Sequence, residues 1–142
     1  MSFEIVLTGE PPITSGDFDD SLLAFLRRIG YISDNDDASS IPFRLFRCFL
    51  DRPEKQWLVD EMMAHLDTTR ATVYRYLNRI KALDVLEESE IHEGEGKKPK
   101  KGYRLRYGSF SKAWNFVEAH IDVSKENYRR TADFIDSFLN VK

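Results

Sequence analysis

Cysteine is nearly absent: Cys48 stands alone among 142 residues, so no disulfide can join two parts of the chain. With no CxxC pair and with His65, His92 and His120 widely dispersed, no metal and no other cofactor is expected. The fold must rest on packing. No apolar run approaches the roughly 18 residues of a membrane span, and Met1–Glu10 has neither a basic lead-in nor a small-residue cleavage site. The expectation is a cytoplasmic protein with no membrane partner. Catalytic signatures are lacking too. Gly96-Lys97 has none of the rest of a phosphate loop, since Ile91 stands where a first glycine is needed and Lys98 where Ser or Thr is needed. Cys48 on an apolar helix face reads as a buried thiol, and no enzyme is expected.

A surplus of positive charge is missing as well, the net charge being −3, but that total hides an asymmetry. Residues 1–40 sum to −6 and residues 69–107 to +4. Screening confines charge effects to about 8–10 Å at ordinary salt, so a local basic face matters more than the total.

What is present is a succession of amphipathic segments, with 42% hydrophobic residues, enough for one packed core. Phe3–Leu7 is β-prone. From Asp17, the residues Phe18, Leu22, Phe25, Leu26 and Ile29 share a helical stripe that stops at Gly30. Turn formers Ser33–Asp37 mark a loop. Ser40 predicts an N-cap for a second helix carrying Ile41, Leu45, Cys48 and Phe49, which ends at Asp51-Arg52-Pro53. A short strand is expected at Gln56–Leu58, then a helix over Val59–Leu66 with Val59, Met62, Met63 and Leu66 turned inward. After a tight turn at Asp67-Thr68, Thr69 caps a longer helix reaching about Leu83, with Val73, Leu77 and Ile80 buried and Tyr76 at the edge of that stripe.

Val85–His92 and Gly102–Tyr107 are expected as the arms of a hairpin whose tip, Glu93–Lys101, holds two glycines and a proline. Two helices should close the chain: one with Ala113, Trp114, Phe116, Val117, His120 and Ile121, and a second capped by Ser124 with Tyr128, Ala132, Ile135 and Leu139. The fold class is mainly α with a small β wing (α+β). Residues 1–40 form an N-terminal extension, 41–107 the compact module and 108–142 the C-terminal helices.

Leu66, Thr69, Arg70, Thr72, Val73 and Leu77 are spaced as in the turn and recognition helix of bacterial and archaeal winged helix-turn-helix regulators, which this stretch resembles. Asp67 and Asp84 stand where glycine is common in that family, and Asp tolerates the left-handed backbone glycine supplies. The order of elements is similar to that of MarR-type regulators. The resemblance implies a sequence-specific transcription regulator of double-stranded DNA, with helix 69–83 in the major groove and wing 93–107 on the backbone or in the minor groove.

Opposite the Val73, Leu77 and Ile80 stripe lie Ala71, Arg75, Asn78, Arg79 and Ala82, a basic face with no acid. Arg pairs with guanine and Asn with adenine through bidentate hydrogen bonds, so Arg75 and Asn78 are the expected base readers. Thr69, Arg70, Thr72 and Tyr74 surround the helix N-terminus, where hydroxyls, a guanidinium and backbone amides hold phosphates. Wing residues Lys97, Lys98, Lys100, Lys101 and Arg104 add sequence-independent charge, with Glu93 and Glu95 working against them.

The first helix and the final pair present Phe18, Leu22, Phe25, Ile29, Trp114, Val117, Tyr128, Ile135, Phe138 and Leu139, more apolar surface than a small module covers. A homodimer is therefore expected, with room for a small-molecule effector. The alternative function is a winged helix that binds protein, using Tyr74, Tyr76 and the acidic first 40 residues to reach transcription or replication machinery.

Overall fold

The computed structural model describes Ile5 and residues 9–140. The strand expected at Phe3–Leu7 lies, Ile5 apart, outside the described residues. Helix α1, Phe18–Arg28, starts where the Asp17 carboxylate accepts a hydrogen bond from the Asp20 amide at 2.7 Å. Asp19 and Asp20 in its first turn and Arg27 and Arg28 in its last both complement the helix dipole. Helix α2, Ile41–Asp51, begins with Pro42 in its first turn as expected, but without the Ser40 cap. Ser40 Oγ instead accepts from the Asp37 amide at 2.9 Å, because the turn before the helix also leaves amides to satisfy.

A two-residue strand β1, Trp57–Leu58, leads into α3, Val59–Leu66. Asp67 then turns the chain in the left-handed conformation, φ 50°. Thr69 Oγ1 accepts from the Thr72 amide at 3.2 Å and opens α4, Arg70–Ala82. Asp84, φ 64°, makes the second left-handed turn, into β2, Leu86–Ile91. Strand β3, Lys100–Leu105, returns to lie between β2 and β1 in an antiparallel sheet of order β1-β3-β2, with Trp57 opposite Tyr103. Both aspartates thus occupy the conformation that a glycine would otherwise supply.

The core gathers Leu26 of α1, Phe43, Leu45, Phe46 and Phe49 of α2, Met62 and Leu66 of α3, Val73, Leu77 and Ile80 of α4, and Val85, Tyr103 and Leu105 around the sheet. Cys48 is buried among them, and burial pushes its thiol up to about 11, where almost no thiolate forms near neutral pH. Tyr31 is buried with its hydroxyl donating to the Pro42 carbonyl at 2.6 Å, and burial raises its pKa well above the usual phenol range.

The C-terminal part differs from expectation. After a single 3-10 turn at Arg106–Gly108, one continuous helix, α5, runs from Phe110 to Leu139, about 45 Å at 1.5 Å per residue. Two helices separated before Ser124 are not formed. No glycine or proline interrupts Phe110–Leu139, and a serine inside a helix is tolerated at small cost. Ser109 provides the cap instead, its Oγ accepting from the Lys112 amide at 3.4 Å.

The expected interface residues also divide. Leu22, Ile29 and Val117 are buried within the chain. Phe25 meets Trp114 and Phe110 edge-on at 5.2 and 5.8 Å, and Phe46 meets Phe110 at 5.7 Å. These aromatics seat the root of α5 on α1 and α2, while Phe18 at the start of α1 stays 51% exposed with the Arg47 guanidinium 4.4 Å over its ring. By contrast, every described residue from Glu118 onward is exposed. No helix among the described residues is long and apolar enough to cross a membrane.

Asp67 should tolerate glycine but not a β-branched residue, since Val at positive φ clashes with its own backbone. In denaturant unfolding, Asp67→Val is expected to lose about 1–2 kcal/mol, whereas Asp67→Gly should keep or raise the wild-type midpoint. Equal losses for both would show that the conformation of this turn is not the constraint.

Candidate nucleic-acid interface

Burial of Val73, Leu77 and Ile80 fixes how α4 is rotated, because a helix held at 73, 77 and 80 presents 71, 75, 78 and 82 to the opposite side. Arg75, Asn78 and Arg79 are all exposed there, as is Ala71, while Ala82 is half-buried. No side chain bonds to Asn78 among the described residues, so its amide is open to an outside partner. Arg75 lies with its guanidinium 4.8 Å from the centre of the Tyr76 ring and donates to the Tyr76 hydroxyl at 3.2 Å. Arg79 is 5.2 Å from the same ring, and one of its nitrogens reaches the Tyr31 carbonyl at 3.5 Å.

Tyr76 is half-buried and packs on the core, as its place at the stripe edge predicts. It is also the platform on which both arginines lie. That second role has a sequence signal, an aromatic flanked by Arg at −1 and +3, although periodicity alone reports only the packing.

The N-terminal end of α4 brings together Thr69, Arg70, Thr72 and Tyr74. Thr69 Oγ1 and Thr72 Oγ1 are 3.0 Å apart, so both hydroxyls are engaged in the cap. Arg70 pairs with Asp60 of α3. Lys100 Nζ lies 3.2 Å from the other oxygen of the same carboxylate and 3.4 Å from Glu93. Lys100 and Arg70, donating to it, hold the Asp60 carboxyl below the usual carboxylate range; Asp60 and Glu93 in turn raise Lys100. Leu58, Val59, Tyr74 and Lys101 complete the lining of this cleft between α4 and the wing. Asp60, absent from the sequence-based site, lies at its centre. Nothing in its spacing from Arg70 or Lys100 betrays this, because the ion pair to the wing spans 40 positions.

The wing cations are not alike. Lys97 and Lys98 have no acidic partner among the described residues, whereas Lys101 stands 4.0 Å from Glu88, which Lys81 also pairs with at 2.8 Å. Arg104 pairs with Glu87 and lies 3.7 Å from Glu54. It is not among the residues that line the cleft. At the wing base, Arg106 donates to the Asp84 carbonyl at 2.8 Å and stands 4.4 Å over Phe116, tying the α4–β2 turn to α5. Among the described residues no group of three or more His, Cys, Asp or Glu is placed to hold a metal ion.

Two helices, a short strand, a helix-turn-helix pair and a two-stranded wing make the architecture that of a winged helix. No family model matches the chain, and no curated protein matches it. Among solved structures, a chain described as a possible transcriptional regulator from Methanosarcina mazei Go1 is similar to this one, with a TM-score of 0.48 and 15% identity over 65% of this chain and 74% of that chain. The winged-helix assignment rests on the element order and not on that likeness.

Proposed function

We propose that the protein is a sequence-specific regulator of transcription that binds double-stranded DNA, with α4 in the major groove and the wing on the backbone. The observation that carries this reading is the acid-free face of α4, where Arg75 and Asn78 stand exposed opposite a fully buried stripe. Tyr76 restrains the Arg75 guanidinium against its ring and hydroxyl, which lowers the entropy lost when the guanidinium meets a base edge. Thr69, Arg70, Thr72 and Tyr74 position the helix end on phosphates, and the wing lysines add charge without reading geometry.

A gel-shift titration of genomic fragments at two salt concentrations tests the reading. With a site in hand, Arg75→Ala and Asn78→Ala should each cost roughly 1–3 kcal/mol at one base-pair position while sparing binding to random DNA. Equal losses on cognate and random duplexes would refute base readout by these side chains.

The wing lysines should act unequally. Lys97 and Lys98 have no internal acid to leave, so changing both to Ala should flatten the log K against log salt slope by up to about 0.9 for each phosphate no longer neutralised. The same change at Lys101, which has an acidic partner near it, should do less. A slope indifferent to Lys97 and Lys98 would place the wing off the DNA.

A homodimer belongs to the same proposal, built on the distal half of α5. From Ile121 the residues Ser124, Tyr128, Thr131, Ile135 and Phe138 recur at alternating steps of three and four, the seam of a two-helix pair. Phe134 and Leu139 flank the seam, and Tyr128 and Leu139 are 78% and 77% exposed in the single chain. Charged Asp122, Glu126, Arg129, Arg130 and Asp133 take the other side, with Arg130 and Glu126 paired at 3.1 Å. Such a stripe left in water is unfavourable by about 25 cal/mol per Å², and a second copy offers an identical one. Sedimentation should find a dimer at micromolar concentration and a monomer for the Ile135→Glu, Phe138→Glu double variant. Two recognition helices spaced about 34 Å apart then require a pseudo-palindromic site. A monomeric wild-type protein with full affinity would end the dimer proposal.

A further inference from the structure

We infer that Asp60 occupies, in the free protein, the place of a DNA phosphate between recognition helix and wing, and so weakens the hold on DNA of any sequence. The inference rests on the DNA-binding reading above and concerns how that site is restrained. The Asp60 carboxylate faces two cations from different elements, one on each oxygen: Arg70 of α4 on Oδ1 and Lys100 of β3 on Oδ2 at 3.2 Å. A phosphodiester offers the same thing, two non-bridging oxygens sharing one negative charge, to the same two donors. Lys101 and Tyr74 line the adjoining walls, and Arg70 and Lys100 present cations from α4 and β3 to an anion entering the cleft.

Asp60 is not needed to cap its own helix. Glu61 does that, its carboxylate accepting from the Leu58 amide at 2.9 Å and pairing with Lys55 at 2.8 Å. The Asp60 side chain is therefore directed at the cleft and not at the α3 backbone. All three partners are about half exposed, and ion pairs in that setting exchange readily with an incoming anion. With Asp60 and Glu93 both in place, the two cations Arg70 and Lys100 face two carboxylates. Removal of Asp60 leaves the clamp with a net positive charge for a phosphate to meet.

The test is binding of the full-length chain to a labelled random-sequence duplex of about 20 base pairs at 50 and 200 mM salt. Asp60→Asn should bind about three- to tenfold more tightly at the lower salt, with a steeper salt slope. Asp60→Ser, which keeps a residue suited to a helix start, should do the same and guards against a folding defect of the first variant. Asp34→Asn, in the exposed loop after α1, changes the net charge equally and should leave affinity within about twofold. Adding Lys100→Gln to Asp60→Asn should remove most of the gain. Wild-type binding with no gain in either Asp60 variant, or an equal gain from Asp34→Asn, overturns the inference and leaves the DNA-binding reading standing. A wild-type protein that binds no duplex overturns both.

Discussion

The burial of Val73, Leu77 and Ile80 against α2 and α3 is the constraint on which the rest of the molecule depends. Each is essentially inaccessible, so α4 has one rotational setting and its opposite face has one composition. The Phe43, Phe46 and Phe49 side chains of α2 are buried in the same core. Loss of a phenyl group from such a core leaves a cavity and costs about 3–5 kcal/mol, a large share of the stability of a domain this size. The polar face of α4 is thus as well defined as the apolar one, although nothing covers it.

Electrostatics then sort the basic residues that this scaffold presents. A count of cations treats Arg70, Lys98, Lys100 and Arg104 as equivalent, but the sheet and the α3 start place acids beside some and not others. Arg104 is engaged by Glu87 across the strand pair, and Lys100 and Arg70 by Asp60. Lys97 and Lys98, beyond the last strand pairing, are left to the solvent. The negative net charge, at first sight an argument against a polyanionic partner, is in part the set of carboxylates that restrain these cations, and exposed pairs of this kind are easily exchanged.

The two ends of the chain have different fates for a packing reason. Helix α1 lies on the module and joins the aromatic cluster of Phe25, Phe46, Phe110 and Trp114, and so uses its apolar stripe beyond Phe18 internally. Helix α5 gives only its first two turns to that cluster and then extends past the body, with Ala113 and Val117 its last buried positions. A helix mostly in water draws its stability from length and from whatever face it later buries, since propensity alone supports long isolated helices poorly.

Much is legible in the sequence because it is written locally. Apolar spacing locates α1 to α4, Thr69 announces the cap of α4, and the aspartates at 67 and 84 mark turns that need a left-handed residue. The hairpin arms are legible to within two residues, and the face of α4 follows from its stripe. Period and capping are short-range physics, so a window of a dozen residues contains them. The continuity of α5 is not legible in the same way, since a serine suited to a cap is equally tolerated inside a helix and only the distant cluster decides where the helix leaves the body. The inward turn of α1 and the engagement of Arg70 and Lys100 by one carboxylate belong to tertiary structure. Where a side chain can choose among several partners, the partner is whichever the folded backbone brings within reach, and at separations of 10 to 40 residues no pattern in the sequence records that choice.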